Sequence, residues 1–438
     1  MNLFWKKIFG RLTPTAKYEA QQEELRRDYE RYLEVENSVE LEKFNALFHT
    51  VNSADFKEKK KTYQTRKYED TEEYRVSTKY EKLFQSNDIK SYYEVLQSSD
   101  LQAYLKFKAS PDYEDLGNPE KVKQSETLKA HKKFEQSADY KTYIRFHDSY
   151  IIKEYEELKK KVSADDFIKS NEFWANKNRW ETTEEYVQEE RYLDLKKNPD
   201  IKYYVSADPK RFDAIRNQKP AFMEDFNWNT LDKSRWSFGF HYKSNALLNS
   251  HSYVNEQQAN NFGNNITVNQ GVLRISTKQE RTTATAWHPK KGFIPKEYQF
   301  TSDVMQSAGS FRQQYGVFQA KIRCSGKINH AFWLGADEKL PLIKVFHFDG
   351  KTIKFGNLDK NGKNESTVTG INPKDFYIYT LVWTEKELRW FVNNLEVARA
   401  ATHIPKETMY LAFNSFISET QQPDEGSLEV DWVRVYSN

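Results

Sequence analysis

A single cysteine, Cys324, stands in the 438 residues of the chain. It cannot form an internal disulfide, and a zinc or iron–sulfur centre built on cysteines is excluded. Long apolar runs are missing too, and no stretch approaches the roughly 20 residues needed to cross a bilayer as a helix. Nor does one sign of charge dominate, since 67 Lys and Arg stand against 64 Asp and Glu, a net charge of +3. Such a balance does not build the sustained basic field that grips a phosphate backbone, so nucleic acid is not an expected partner. The sequence holds no Gly-rich phosphate loop and no metal-spaced His/Asp cluster, and no cofactor or metal is expected. Aromatics at 15% argue against a disordered polyelectrolyte.

Glycine is scarce in one half only. Residues 1–220 hold two glycines (Gly10, Gly117) with 42 basic and 42 acidic residues, a composition of helices laced with ion pairs. Residues 221–438 hold 13 glycines and seven of the ten tryptophans, in short β-branched and aromatic runs that read as strands. The expected organisation is a charged α-helical region over 1–215 and a β domain over 220–438, with the boundary near Pro209–Pro220.

In the first half a short pattern recurs: Ser or Asn, an acid two residues on, an apolar residue, then an aromatic one turn later. It appears at Ser53/Asp55/Phe56, Ser86/Asp88/Ile89/Tyr92, Ser137/Asp139/Tyr140/Tyr143, Asn198/Asp200/Ile201/Tyr204 and Ser206/Asp208/Phe212. Each reads as a helix start. The side-chain oxygen takes orphan backbone N–H groups, and the acid favours the positive end of the helix dipole. Residues 51–92 and 162–203 are also similar to each other (VNSADF…YEDTEEY against VSADDF…WETTEEY), pairing Tyr68 with Trp180 and Tyr80 with Tyr192. The expectation is an internal duplication, an array of short helices stacked through aromatics. Such an array presents an extended surface to a protein partner or serves as a spacer. Basic and aromatic residues interleave over Lys57–Arg66, but matching acids argue against RNA.

Met1–Leu12 (MNLFWKKIFGRL) does not read as a secretion signal, because Lys6 and Lys7 break its apolar start. A cytoplasmic location is the resulting expectation. Leu3, Phe4, Trp5, Ile8, Phe9 and Leu12 fit one broad helical face, with Lys6, Lys7 and Arg11 opposite. Two readings follow: a helix docked on its own protein, which is preferred, or a peripheral membrane contact.

The second half opens with Glu224-Asp-Phe226 and Leu231…Trp236, then runs through Asn269-Gln-Gly-Val-Leu-Arg-Ile275, Tyr315-Gly-Val-Phe-Gln-Ala-Lys-Ile322 and His330-Ala-Phe-Trp-Leu334. Asp375-Phe-Tyr-Ile-Tyr-Thr-Leu-Val-Trp383, Leu388–Val392 and Val430-Asp-Trp-Val-Arg-Val-Tyr436 follow, with Asn393-Asn394 as a two-residue hairpin turn. Many short alternating strands over about 215 residues predict a β-sandwich. This ordered set resembles glycoside hydrolase family 16, the laminarinase/lichenase-like jelly rolls of the concanavalin A-like superfamily, across residues 222–437. The resemblance implies an antiparallel β-sandwich with a glycan-binding cleft.

The resemblance also implies a Glu-x-Asp-x-x-Glu segment after the Phe-Trp strand, with a bulge returning the last Glu to the face of the first two. In the matching register stand Leu342, Lys344 and His347. A leucine cannot form a glycosyl-enzyme, lysine reverses the charge of the assisting Asp, and retaining hydrolysis needs two carboxyls about 5–5.5 Å apart. Asp337 and Glu338 before this strand and Asp349 after it lack the spacing, and Gln319 stands where the family often has Glu. No catalytic residue is therefore expected.

Candidate ligand contacts are Trp333, which reads equally as cleft or core, Trp287 and His288 in a loop beside the groove, and Lys344 and His347, which are suited to an acidic sugar or another anion. Trp383, Trp390 and Trp432 read as core. The expected function is a non-catalytic carbohydrate-binding protein with a helical spacer or dock. The alternatives are a protein-interaction scaffold whose sandwich binds no sugar and, third, a glycoside hydrolase or transglycosylase with relocated acids.

Overall fold

A computed structural model describes residues 1–243, 249 and 251–437. They form two compact units, Glu34–Ser206, and Met1–Leu33 together with Ala207–Asn438. The first is helical and the second is built on antiparallel sheets.

The helical unit forms where capping chemistry starts each helix. Ser53, Ser86, Ser98, Ser125, Ser137 and Ser149 each accept from the backbone N–H three residues on, which stops one short helix and starts the next. Thr71 and Thr183 cap their helices identically, at the matching positions of the two similar segments. Asn198 Oδ1 likewise takes the N–H groups of Asp200 and Ile201. Ser206 differs from expectation. It ends the helix Pro199–Ser206, and Asp208 caps the following turn instead. The aromatics make the core: Tyr92, Tyr104, Tyr140, Tyr143 and Tyr155 are buried together, and Phe44 stacks on Tyr192. Lysine–glutamate pairs such as Lys60–Glu189 (2.6 Å) and Lys161–Glu72 (2.6 Å) link neighbouring helices at the surface.

The second unit is a sandwich. One sheet runs in the order Leu395–Ala400, Leu388–Val392, Tyr377–Trp383, Gly316–Ser325, Gly426–Ser437, Val272–Thr277, Ile266–Asn269, with Lys219–Glu224 also on Gly426–Ser437. The facing sheet runs Lys363–Val368, Ile353–Leu358, Leu342–Phe348, Asn329–Gly335, Tyr410–Phe416, Val304–Gln306, Ser237–Phe238. Period-2 alternation sends Phe332, Leu334, Leu411 and Phe413 into the shared core with Phe318, Leu381, Trp383 and Trp390. The two-residue turn at Asn393-Asn394 is present, with Asn393 at positive φ. Trp432 is buried as expected, at 7% exposed, but on the other side of its sheet. It faces away from this core, and its indole N–H donates to Glu19 of the helix Thr15–Glu36 (2.7 Å).

Composition drew the domain line at residue 215, but Met1–Leu33 is part of the sandwich unit. The reason is burial. Leu3 and Leu12 are 0% and 2% exposed, inside the sandwich core. Leu3 N–H donates to Thr369 O (2.7 Å), and Thr369 N–H to Met1 O (2.9 Å). The hairpin turn holds the next residues: Asn394 Nδ2 donates to Arg11 O, Asn393 Nδ2 to Thr13 O, and Thr13 N–H to Asn394 Oδ1. The helix here is only Phe4–Ile8, and Phe4, Trp5, Ile8 and Phe9 stay exposed. The anticipated single apolar face is thus divided between the core and solvent. Among the described residues no helix is long and apolar enough to cross a membrane.

Leu12→Ala removes a core side chain and is expected to cost about 2–5 kcal/mol of sandwich stability. Chemical denaturation followed by tryptophan fluorescence measures it. An unchanged midpoint would mean that the N-terminal segment does not belong to this core.

Candidate functional site

On the outer face of the second sheet lies a cavity of about 310 Å³. The residues that alternate away from the core form its floor: Ala331 and Trp333 from Asn329–Gly335, and Asn414 and Phe416 from Tyr410–Phe416. Tyr242, Tyr253 and Phe240 form an aromatic wall, in which the Tyr253 hydroxyl donates to Tyr242 Oη (2.9 Å) and Phe240 packs edge-on against Tyr253. A second depression of about 520 Å³, lined by Arg312, Asp337, Asp359 and Lys406, adjoins it and shares Glu338 and Leu340.

Leu342, Lys344 and His347 all line the cavity. Simple alternation would place 342, 344, 346 and 348 on one face. The ladder instead slips by one residue: Phe332 pairs with Phe346 but Trp333 with Lys344, and the partner strand shows the same slip between Lys344 and His347. The extra residue turns Val345 and Phe346 both into the core and brings His347 round beside Lys344. The Lys344 carbonyl at the slip accepts from the Trp390 indole N–H, 2.9 Å across the sandwich.

Lys344, His347 and Trp333 each have a partner on this face. Lys344 Nζ reaches Glu365 at 2.7 Å, which holds the Glu365 carboxyl below its usual range. His347 Nε2 donates to Asn329 Oδ1 (3.0 Å), and Asn329 Nδ2 to Gln421 Oε1. Burial and then the Lys344 charge push His347 down to about 4, so at neutral pH it is an uncharged ring. Trp333 is both core-like and cleft-forming: 9% exposed, its N–H on Asn414 Oδ1 (3.1 Å), its edge toward Tyr410. Gly335 makes room for it, because a Cβ there would lie 2.5 Å from the Trp333 ring.

Trp287 and His288 are not in a loop and do not join the described lining. They end the strand Thr282–His288, whose alternation and turn at 289–291 make a hairpin with Gly292–Tyr298. Trp287 packs on Phe293, and His288 Nδ1 accepts the N–H groups of Lys290 and Lys291. Their contribution is indirect, since Tyr253 pairs with Trp287 in the ladder and stands on the cavity wall. Of the neighbouring acids, Asp337 is bound to Arg312 (2.5 Å) and Asp349 to the Thr352 turn and Lys354. Gln319 lies on the other sheet, donating to Thr380.

Sequence reasoning missed Glu256. It lines the cavity, accepts from Gln258 Nε2 (2.7 Å) and is raised to about 7 by burial. The only signal for it was an acid in the aromatic-rich stretch before Gln258. Among the described residues no cluster fit for a metal is present.

Residues 254–434 match the family model Glycosyl hydrolases family 16. Curated relatives include the endo-1,3-1,4-beta-glycanases ExsH (29% identical over 195 residues) and EglC (28% over 210) of Rhizobium meliloti (strain 1021). Those matches take in 40% and 42% of this chain, and the chain spans the same shares, 40% and 42%, of those relatives' lengths. Glucan endo-1,3-beta-glucosidase A1 of Niallia circulans is 23% identical over 290 residues, 56% of this chain and 41% of that protein. Among solved structures, the laminarinase catalytic domain from Thermotoga maritima MSB8 superposes with a TM-score of 0.41 at 17% identity, covering 51% of this chain and 99% of that one.

Two titrations test the geometry of the site. His347 protonates more readily when unfolded (ordinary value near 6.5) than when folded (about 4), so its contribution is complete above pH 6.5 and is lost as pH falls toward 4. His347→Gln is expected to flatten that decline by on the order of 2 kcal/mol in denaturant titrations at pH 7, 5.5 and 4.5. The share of buried His330, also lowered to about 4, remains. Glu256 has the opposite sense. Its folded form holds the proton up to about pH 7 while the unfolded form releases it near 4.5, so stability falls as pH rises through that window. Glu256→Gln is expected to stabilise the chain at pH 8 relative to wild type and to change little at pH 4.5. Equal effects at both pH values would remove Glu256 from the buried wall.

Proposed function

Starting from a C-terminal half that matches glycosyl hydrolases family 16, we propose that its cleft binds a neutral glycan without cleaving it. The observation that carries this reading is the Lys344–Glu365 pair at 2.7 Å, set on the cleft face between Leu342 and His347. Where retaining hydrolysis needs two carboxyls facing one glycosidic bond, this face offers a methyl-bearing side chain, a neutralised ammonium and an uncharged imidazole. What it retains is binding chemistry: the indole of Trp333, the phenol rings of Tyr242 and Tyr253, and polar groups at Asn414, His347 and Glu256. Two adjoining depressions suit a chain of sugars better than a single ring.

The charge inventory favours a neutral sugar over the acidic one considered from sequence. Lys344 is already paired and His347 is uncharged at neutral pH, while Glu256 and Glu338 stand in the same cavity. The further cation of this lining, Lys339, stands with Glu256 and Glu338, so the described lining offers an anionic ligand no excess of positive charge. The helical unit is assigned the role of spacer or protein dock.

Glu256 supports a second reading, slow hydrolysis with a relocated acid. A carboxyl held near 7 is suited to protonating a leaving oxygen.

Calorimetry of the full chain against β-1,3- and mixed-linkage glucan, agarose and acidic oligosaccharides, with a parallel reducing-end assay, separates the readings. The expected result is saturable binding of a neutral oligosaccharide, weakened about tenfold or more by Trp333→Ala and by Tyr253→Ala, with no sugar released. Thermal melts of both variants distinguish lost contact from lost fold. Sugar release abolished by Glu256→Gln would replace the first reading with the second. Absence of both binding and release would leave the sandwich as an interaction scaffold.

A further inference from the structure

The four exposed residues at the start of the chain form a patch unlike the rest of the surface. Phe4, Trp5, Ile8 and Phe9 are 50%, 57%, 57% and 71% exposed. They are contiguous: Phe4 meets Trp5 edge-on at 5.4 Å, and Trp5 stacks on Phe9 at 6.1 Å. At about 3.6 residues per turn, Phe4, Trp5 and Ile8 share one side of the helix Phe4–Ile8, and Leu3 falls opposite, toward the core. Lys7 lies on a flank between the two sides and half-buried Lys6 behind, on the side of Leu3, with Arg11 just beyond. Lys7 makes a weak, exposed ion pair with Asp375 at 3.9 Å.

This knob does not hang on a loose end. Leu3 and Leu12 are buried on either side of it, and the bonds to Thr369, Asn393 and Asn394 fix the chain before and after. A held-out apolar wedge rimmed by cations has the chemistry of an interfacial segment. Aromatic rings enter the headgroup boundary while lysine and arginine stay at the level of the phosphates. A sugar platform would need hydroxyl partners beside the rings, and the residues on this side of the helix, Phe4, Trp5 and Ile8, supply none. A second copy of the chain would bring its own lysines against these.

We propose that Phe4, Trp5, Ile8 and Phe9, with Lys6, Lys7 and Arg11, dock the protein onto an anionic lipid surface. The wedge supplies depth, and the cations supply the preference for negative headgroups and a dependence on salt.

The test is co-sedimentation of the full chain with vesicles of phosphatidylcholine alone and with phosphatidylserine added. Binding is expected only or mainly to the phosphatidylserine vesicles, falling as salt rises. Trp5→Ser with Phe9→Ser is expected to weaken it by about tenfold or more, and Lys6→Gln with Lys7→Gln to remove the preference for phosphatidylserine. Trp5, Lys7 and Phe9 are exposed and Lys6 is half-buried at the surface, so melting points should stay near the wild-type value. A blue shift of tryptophan emission on vesicle addition, lost in Trp5→Phe, places the knob in the interface. No vesicle binding, binding that both double variants retain, or a concentration-dependent dimer lost in Trp5→Ser with Phe9→Ser would each overturn the proposal.

Discussion

The cleft depends on one misregistered residue. Between Lys344 and His347 the ladder carries an extra position, so Val345 and Phe346 both enter the core and the side chains at 342, 344 and 347 share the outer face. A slip of this kind weakens the local ladder. Here the Lys344 carbonyl receives the Trp390 indole N–H from the opposite sheet. The sandwich core and the cleft are therefore coupled, because a residue of one sheet fixes the backbone that presents the site on the other. Phe346 against Tyr379 and Trp390 beneath Lys344 bring two aromatic anchors to the same few residues.

With the backbone so fixed, the side chains decide what the face presents. Lys344 and Glu365 stand on strands either side of Ile353–Leu358, both opposite Gly356, so the lysine's charge is answered within the sheet. The histidine at 347 is held by Asn329 and, through it, Gln421. Partnered within the protein, these two side chains are held in place.

Much of this was legible in the residues. Strand positions followed from alternation, and the serine caps followed from local hydrogen-bonding chemistry. The bulge followed from the family resemblance, because an inserted residue leaves no trace in a single sequence beyond two adjacent apolar side chains. Three things were not legible. Trp287 looked like a groove residue because a tryptophan beside a histidine suggests a binding loop, whereas a hairpin absorbed both. Glu256 was hidden because its burial comes from residues distant in sequence, among them Lys296. The place of Met1–Leu33 was misjudged because composition averages over helices. It cannot reveal that two leucines nine residues apart are buried in a core made about 200 residues later.

That last feature fixes an order of events. During synthesis, residues 1–33 emerge long before their partners at Thr369, Asn393 and Asn394. The segment Glu34–Ser206 has its whole set of internal contacts available long before then and can fold as a unit. Until the hairpin at Asn393-Asn394 exists, Leu3 and Leu12 have nowhere to go and remain on show with Phe4, Trp5, Ile8 and Phe9. The nascent chain thus carries a stickier segment here than the finished protein, and closing the sandwich buries two of these six apolar side chains while leaving four outward.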